Sequence, residues 1–268
     1  MERQHFLAEL VRQEFGSYGA DPWPDDAQLF EPNENEQALL YEFAECLSVR
    51  ALFMMCKLPF TVQMRSNTVD MSPSGEVPLL KAGDYCVSSF NTIQSFLERK
   101  GLSLSDALDE VERGDMMAAI SLVHTNLKNA EMYACWCHEE VARDVTLRRV
   151  ASAYSWPLSW LLPRLKRRQI AQRLTDCGWA QKSLDQVLQI VSRTCQALSE
   201  KLADKDFFCF DDRPTELDAL VFGHLFTIVT TELPDLDFAS VVKSHKNLIE
   251  FCQRVEREYF TASARRNR

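Results

Sequence analysis

The fold class that this 268-residue chain predicts is a small mixed α/β unit followed by an all-helical domain, α/β plus all-α. Three observations carry that reading. Short strand-like runs fall only in the first hundred residues, separated by turn and helix signals. Beyond Gly101 the apolar residues recur at helical spacing. Between them, in Ser72-Pro-Ser-Gly-Glu-Val-Pro-Leu-Leu80, Pro78 opens what otherwise reads as a buried strand, although proline donates nothing to a ladder.

Residues 1 to 20 read as a short amphipathic helix on Phe6, Leu7, Leu10, Val11 and Phe15, stopped by Asp21-Pro-Trp-Pro24. Ala38-Leu-Leu-Tyr-Glu-Phe43 predicts the first strand, and Leu47 to Lys57 a helix that Pro59 ends. Thr61 to Met64 is the second strand, Val77 to Lys81 the third, and Tyr85 to Val87 the fourth, the last two joined by a tight turn at Ala82-Gly83-Asp84. Phe90 to Lys100 follows as a helix closed by Gly101. The order is β-α-β-β-β-α.

In the second half, Met116, Ile120, Val123 and Leu127 mark one helix, and Leu184, Val187, Leu188, Val191, Cys195, Leu198 and Leu202 another. Leu248, Phe251, Cys252, Val255 and Tyr259 mark the last. Pro214-Thr-Glu-Leu-Asp218 opens a further helix with Thr215 as N-cap and Asp218 returning a bond to the cap's own N–H. The expected domains are an N-terminal extension (1–35), the α/β unit (36–100), the helical domain (101–260) and a tail (261–268).

The chain is 46% hydrophobic, enough for a substantial core, yet no run of about eighteen apolar residues predicts a membrane span. The first fifteen residues mix both charges and resemble neither a secretory signal nor a transit peptide, so a cytosolic-side protein is expected. Nine cysteines, an odd number, read as reduced thiols. The net charge of −9 argues against nucleic-acid binding. Its distribution is uneven. No Lys or Arg lies between Arg12 and Arg50, where Glu14, Asp21, Asp25, Asp26, Glu31, Glu34, Glu36, Glu42 and Glu45 accumulate, whereas from Arg143 to Arg173 eight basic residues face only Asp144.

Within that basic stretch, Trp156, Trp160, Arg164, Lys166, Arg167 and Arg168 form the candidate interaction surface. Tryptophan and arginine suit either a protein interface or an anionic membrane, and the competing reading packs both tryptophans inside with the cations on a solvated helix face. The acidic stretch is a candidate counterpart, within the chain or between subunits. Cys135-Trp-Cys-His138 has zinc-type ligands, but residues two apart on a helix point about 200° away from each other, so no metal site is expected. His124 reads as an ordinary residue at the core edge, and His224 as a hydrogen-bonded core histidine.

The β-α-β-β-β-α unit, with proline after Gly75-Glu-Val77, followed by helices containing a Thr-x-x-Asp cap, resembles the glutathione transferase fold, whose N-terminal domain is thioredoxin-like. That resemblance implies a cis Val77–Pro78 bond at a ligand site. Met71-Ser-Pro-Ser-Gly-Glu-Val-Pro78, Trp156-Pro-Leu158, Gly178-Trp179, Leu184-Asp-Gln-Val-Leu188 and Pro214-Thr-Glu-Leu-Asp-Ala-Leu-Val-Phe-Gly-His-Leu225 are similar to the metaxin family, most of all its type-two members, over roughly residues 20 to 260. The resemblance implies a protein at the cytosolic face of the mitochondrial outer membrane, without cofactor, metal or catalytic residue. Implied partners are a type-one metaxin, the subunits that assemble β-barrel proteins, and mitochondrial motor adaptors, with peripheral membrane association.

The alternative is a glutathione-dependent transferase or reductase. In such enzymes a hydroxyl or cysteine at the start of the first helix stabilises a thiolate. The alignment places Phe43 or Ala44 there, leaving Cys46 and Ser48 as substitutes, with Glu42 and Glu45 opposing a thiolate at Cys46. Ser88-Ser89 stands where the family receives a γ-glutamyl group; the plainer reading is that one serine caps the next helix.

Overall fold

The computed structural model describes residues 22–34, 36–234 and 237–261, so the helix expected over residues 1 to 20 lies outside it, as does the tail after Thr261. The sheet is built from β1 (Gln28–Glu31), β2 (Thr61–Met64), β3 (Leu79–Ala82) and β4 (Tyr85–Ser88) in the order β2-β1-β3-β4. β1 pairs parallel with β2 and antiparallel with β3, and β3 pairs antiparallel with β4. Helix α1 (Leu40–Met55) makes the β1-to-β2 crossover, a short α2 (Thr68–Met71) follows β2, and α3 (Phe90–Arg99) follows β4.

Apart from the short α2, which falls where a loop is expected, the order of elements agrees with the expectation, but the first strand does not lie at 38–43. That segment opens α1, and the sheet begins at Gln28, inside the stretch read as an extension. The reason is burial on every side. α1 sits between the sheet unit and the helical domain, with Leu40, Tyr41, Ala44, Leu47, Val49, Ala51, Leu52 and Phe53 all buried. A helix covered all round shows no polar face, so its first turn is indistinguishable from a buried strand by pattern. Pro78 stands just outside β3; its carbonyl accepts from Ser89 N–H at 3.1 Å, and the missing donor leaves no gap in the ladder.

The helical domain starts at α4 (Glu110–Leu122), which Asp109 and Glu112 cap reciprocally, and runs through a π-helical stretch (Val123–Lys128) into α5 (Asn129–Trp136). Then come α6 (Glu139–Val141), a second π-helical stretch (Ala142–Thr146), α7 (Leu147–Ala151), α8 (Leu158–Asp176) and α9 (Leu184–Leu202). The chain closes with α10 (Glu216–Thr230), α11 (Phe238–Lys243) and α12 (Lys246–Val255), the last continued by Glu256–Thr261. α10 is buried along nearly its whole length and packs on α1, joining the two halves through one core. At their crossing Gly223 lets the backbones meet: a Cβ there would lie 2.6 Å from the Ala44 carbonyl and 2.7 Å from the Ser48 amide nitrogen.

Candidate functional site

Between the sheet unit and the helical domain lies a cleft of about 360 Å³, lined by Tyr41, Glu42 and Glu45 of α1, by Gly75, Glu76 and Val77 before β3, by Lys128 and Met132, and by Leu165, Lys166 and Arg173 of α8. The Val77–Pro78 peptide is cis, and Val77 lines the cleft. Charges of both signs meet here in pairs. Lys166 Nζ lies 3.0 Å from Glu42 Oε1, Lys128 Nζ 2.9 Å from Glu45 Oε1, and Arg173 3.7 Å from Glu76. Tyr154 donates to Asp70 at 3.0 Å. Each contact ties the helical domain to the sheet unit, so part of the acidic stretch finds its basic counterpart within the chain. Arg149 adds a bond to the Ala38 carbonyl at 2.5 Å.

Thiol chemistry needs an activating group where α1 begins, and the structure shifts that position from the one expected. Phe43 and Ala44 lie inside the helix; the residues before it are Pro32 to Leu39, among which there is no Ser, Thr, Cys or Tyr. Tyr41, in the first turn, accepts from Trp136 Nε1 at 3.3 Å and donates to Glu42 at 3.2 Å. Burial, reinforced by Glu42, pushes its phenol well above the ordinary value, the wrong direction for stabilising an anion. Cys46 is buried more than one turn inside α1, beyond reach of the helix terminus. Burial, then Glu31, Glu42 and Glu45, raise its thiol well above the normal range. Ser48 donates to the Ala44 carbonyl at 2.8 Å and to Leu220 at 3.3 Å across the α1–α10 contact. The two substitute nucleophiles thus belong to packing.

Ser88 and Ser89 also differ from expectation. Ser88 Oγ pairs with Ser74 Oγ at 2.7 Å. Ser89 holds the N-cap position of α3 at φ +73°, but its hydroxyl meets Thr92 Oγ1 at 3.2 Å and bonds no backbone N–H. The cap comes from elsewhere: Glu45 Oε2 accepts from Phe90 N–H at 3.2 Å, placing a carboxylate at the start of α3.

Glu45 is the centre of a buried charged cluster that the sequence reading missed. Around it stand Lys128, His124 Nδ1 at 3.5 Å and His224 Nε2 at 3.9 Å, while His224 Nδ1 is held by Glu131 at 2.8 Å. Burial by itself pushes the Glu45 carboxyl up; Lys128, His124 and His224 together outweigh it and bring it down to about 2. Burial lowers His124 to about 4, with Glu45 opposing. Glu45, His124 and His224 offer metal-type donor atoms within 4.8 Å of one another. The Lys128 ammonium already neutralises Glu45 and would repel a dication, so the chemistry of the donor set favours an internal ion-pair network. Its sequence sign is a charged residue, Glu45, set with Glu42 and Arg50 in a largely apolar helix.

The remaining candidates separate cleanly. Thr215 is the N-cap of α10; its N–H donates to Asp218 Oδ2 at 2.7 Å, and Phe208 N–H donates to the other carboxylate oxygen at 2.8 Å. His224 is a fully buried, hydrogen-bonded histidine. His124 is more than an edge residue, since it faces Glu45. Cys135 and Trp136 end α5, buried in the core. On α8, Lys166 turns inward to the buried Glu42, and Arg167 pairs with the exposed Glu139. Trp156 and Trp160 are 85% and 58% exposed, which overturns the reading that packs them inside. Arg164 stacks over Trp160 with its guanidinium 4.6 Å from the ring centre, and Arg168 is exposed.

Comparison with known proteins agrees with this architecture. Residues 46–167 match the family described as outer mitochondrial membrane transport complex protein, and residues 191–255 match the glutathione S-transferase C-terminal domain. Metaxin-2 of Mus musculus is 44% identical over 253 residues, covering 94% of this chain and 96% of the mouse protein. The metaxin-2 homolog of Caenorhabditis elegans is 39% identical, covering 86% and 99% of the two chains. Among solved structures, glutathione transferase GSTFuA3 from Phanerochaete chrysosporium superimposes with a TM-score of 0.56 at 15% identity, over 86% of this chain and 96% of that one. The likeness to that transferase shows the fold alone. With the fold and the extent of the match to metaxin-2 taken together, this chain belongs to the metaxin family, proteins of the mitochondrial outer membrane built on the glutathione transferase fold.

Proposed function

We propose that this chain is a non-catalytic subunit at the cytosolic face of the outer membrane, which pairs with a type-one metaxin and serves the import and assembly of β-barrel proteins. The observation that carries the non-catalytic part is the state of the cleft. Its Lys128, Lys166 and Arg173 are engaged by Glu45, Glu42 and Glu76, and the start of α1 supplies no group to stabilise a thiolate. A two-domain body whose cleft cations are already engaged by carboxylates is suited to holding partners in place. Metaxin-1 of Mus musculus, 29% identical over 75% of this chain, supports a sister of the same fold as the partner. An adaptor role toward mitochondrial transport motors belongs to the same reading, as a second use of the docked body.

Two measurements test it. Purified chain is assayed for glutathione binding and for conjugation to an activated aryl halide; neither is expected, and turnover abolished by Cys46→Ala would establish the glutathione-dependent alternative. Co-purification from mitochondria at physiological salt is expected to recover a type-one metaxin together with β-barrel assembly subunits. Recovery of a lone monomer would remove the heteromeric part.

A further inference from the structure

Of the ten large apolar side chains most exposed among the described residues, five crowd into one short segment: Trp156, Leu158, Trp160, Leu161 and Leu165, at 85, 47, 58, 41 and 52% exposure. At 100° per residue, Leu158, Leu161 and Leu165 share one side of α8, Arg168 and Arg164 come next around the helix, and Trp160 lies beyond them. Trp156 projects from the turn just before. The cations among them are not committed elsewhere. Lys166 and Arg167 pair with carboxylates, whereas Arg164 and Arg168 have no carboxylate partner among the described residues. Arg164 instead donates to the Trp160 carbonyl at 2.6 Å and covers its ring, holding that tryptophan at the surface.

From this arrangement we propose that the start of α8 is a direct lipid-binding face, seated in the headgroup layer of an anionic bilayer. The choice of occupant follows from where the arginines stand. They run between the leucines and the Trp160 ring, not around a rim, so an apolar protein surface closing over this face would bury two guanidiniums without counter-charges. A headgroup layer offers phosphates at that depth, takes indole rings at the same level, and accepts the leucines just below. The charge balance agrees: in a chain of net −9, this face carries two arginines without a carboxylate partner among the described residues. No described helix is long and apolar enough to cross a membrane, and this face is of the shallow kind. The inference uses the outer-membrane location of the family and is independent of the partner assigned above.

The test uses the full chain and vesicles of phosphatidylcholine alone or with about one-fifth phosphatidylserine. Flotation at physiological salt is expected with the anionic vesicles, with a blue shift of tryptophan emission and quenching by brominated acyl chains. Trp156→Ala with Trp160→Ala is expected to lower vesicle affinity by about tenfold or more, and Arg164→Gln with Arg168→Gln by several-fold with a weaker salt dependence. All four positions are exposed, and unchanged circular dichroism and Tm will show that the variants fold. Absence of flotation, or flotation equal in the variants and the parent, would overturn the proposal. So would variants that still float but no longer co-purify with the protein partner, since that result makes the face a protein interface. Normal co-purification with flotation lost supports the lipid assignment and leaves the partner reading standing.

Discussion

Gly223→Ala addresses the contact that joins the two halves of the molecule. On α10, a methyl group at this position would meet the Ser48 hydroxyl at 2.0 Å, the Ala44 carbonyl at 2.6 Å and the Ser48 amide nitrogen at 2.7 Å, against an ordinary contact of 3.4 Å or more. The hydroxyl can rotate away, but the other two atoms are backbone of α1. The helices must therefore separate by about 0.8 Å, the difference between 3.4 and 2.6 Å. Overpacking of this kind costs ~1–3 kcal/mol, and rigid backbone puts it near the upper end. Alanine returns about 1 kcal/mol through helix propensity, leaving a net loss of about 2 kcal/mol. For a chain of this size that is a fall in Tm of about 4–8 °C, measurable by calorimetry or circular dichroism. Adding Ser48→Ala removes only the side-chain clash and is expected to recover less than half of the loss. A Tm at or above that of the parent, or full recovery in the double variant, would show that backbone contact does not set the approach of α1 and α10.

Three further outcomes follow from the same geometry. Lys128→Leu leaves Glu45 buried without its ammonium and should cost about 3–5 kcal/mol in denaturant unfolding, whereas Glu45→Ala with Lys128→Leu should recover most of it; equal losses would deny that the two act as a pair. Because His124 is lowered from 6.5 to about 4 in the fold, the unfolded chain binds the extra proton between those values, so its contribution, up to about 3 kcal/mol, is full above pH 6.5 and is lost as pH falls through 4. Asp218, raised to about 6 by burial, works in the opposite sense, its contribution present below 3.8 and lost as pH rises through 6, so the His124 effect is read from the difference between parent and His124→Asn; identical pH profiles would refute it. Finally, a thiol reagent should label exposed Cys86 and Cys177 quickly in the native protein and reach buried Cys46, Cys135, Cys195 and Cys252 only on unfolding, and rapid labelling of Cys46 would reopen the question of thiol chemistry at α1.

The sequence by itself determined the class of fold, strands β2 to β4 with the helix after them, four of the helices beyond Gly101, and the family. Those rest on local signals: strand runs bounded by turns, 3.6-residue periodicity on the faces of α9 and α12, the Thr215–Asp218 box at the head of α10, and motifs whose order along the chain is itself a signature. Where an element is covered on both sides the signal fails, which is why α1 was split into a strand and a helix and why the short β1, with polar residues at both ends, was passed over. Only the tertiary structure decided what the charged residues do. Glu45 lies 79 and 179 positions from His124, on the π-helical stretch after α4, and His224, on α10, and no local pattern encodes such a meeting. The same holds for α8: composition marked a segment rich in tryptophan and arginine, and folding sorted it, turning Lys166 and Arg167 toward carboxylates of other helices and leaving Trp156, Trp160, Arg164 and Arg168 outside. Side chains one residue apart on a helix face different surroundings, so identity is written locally and partnership is settled only by packing.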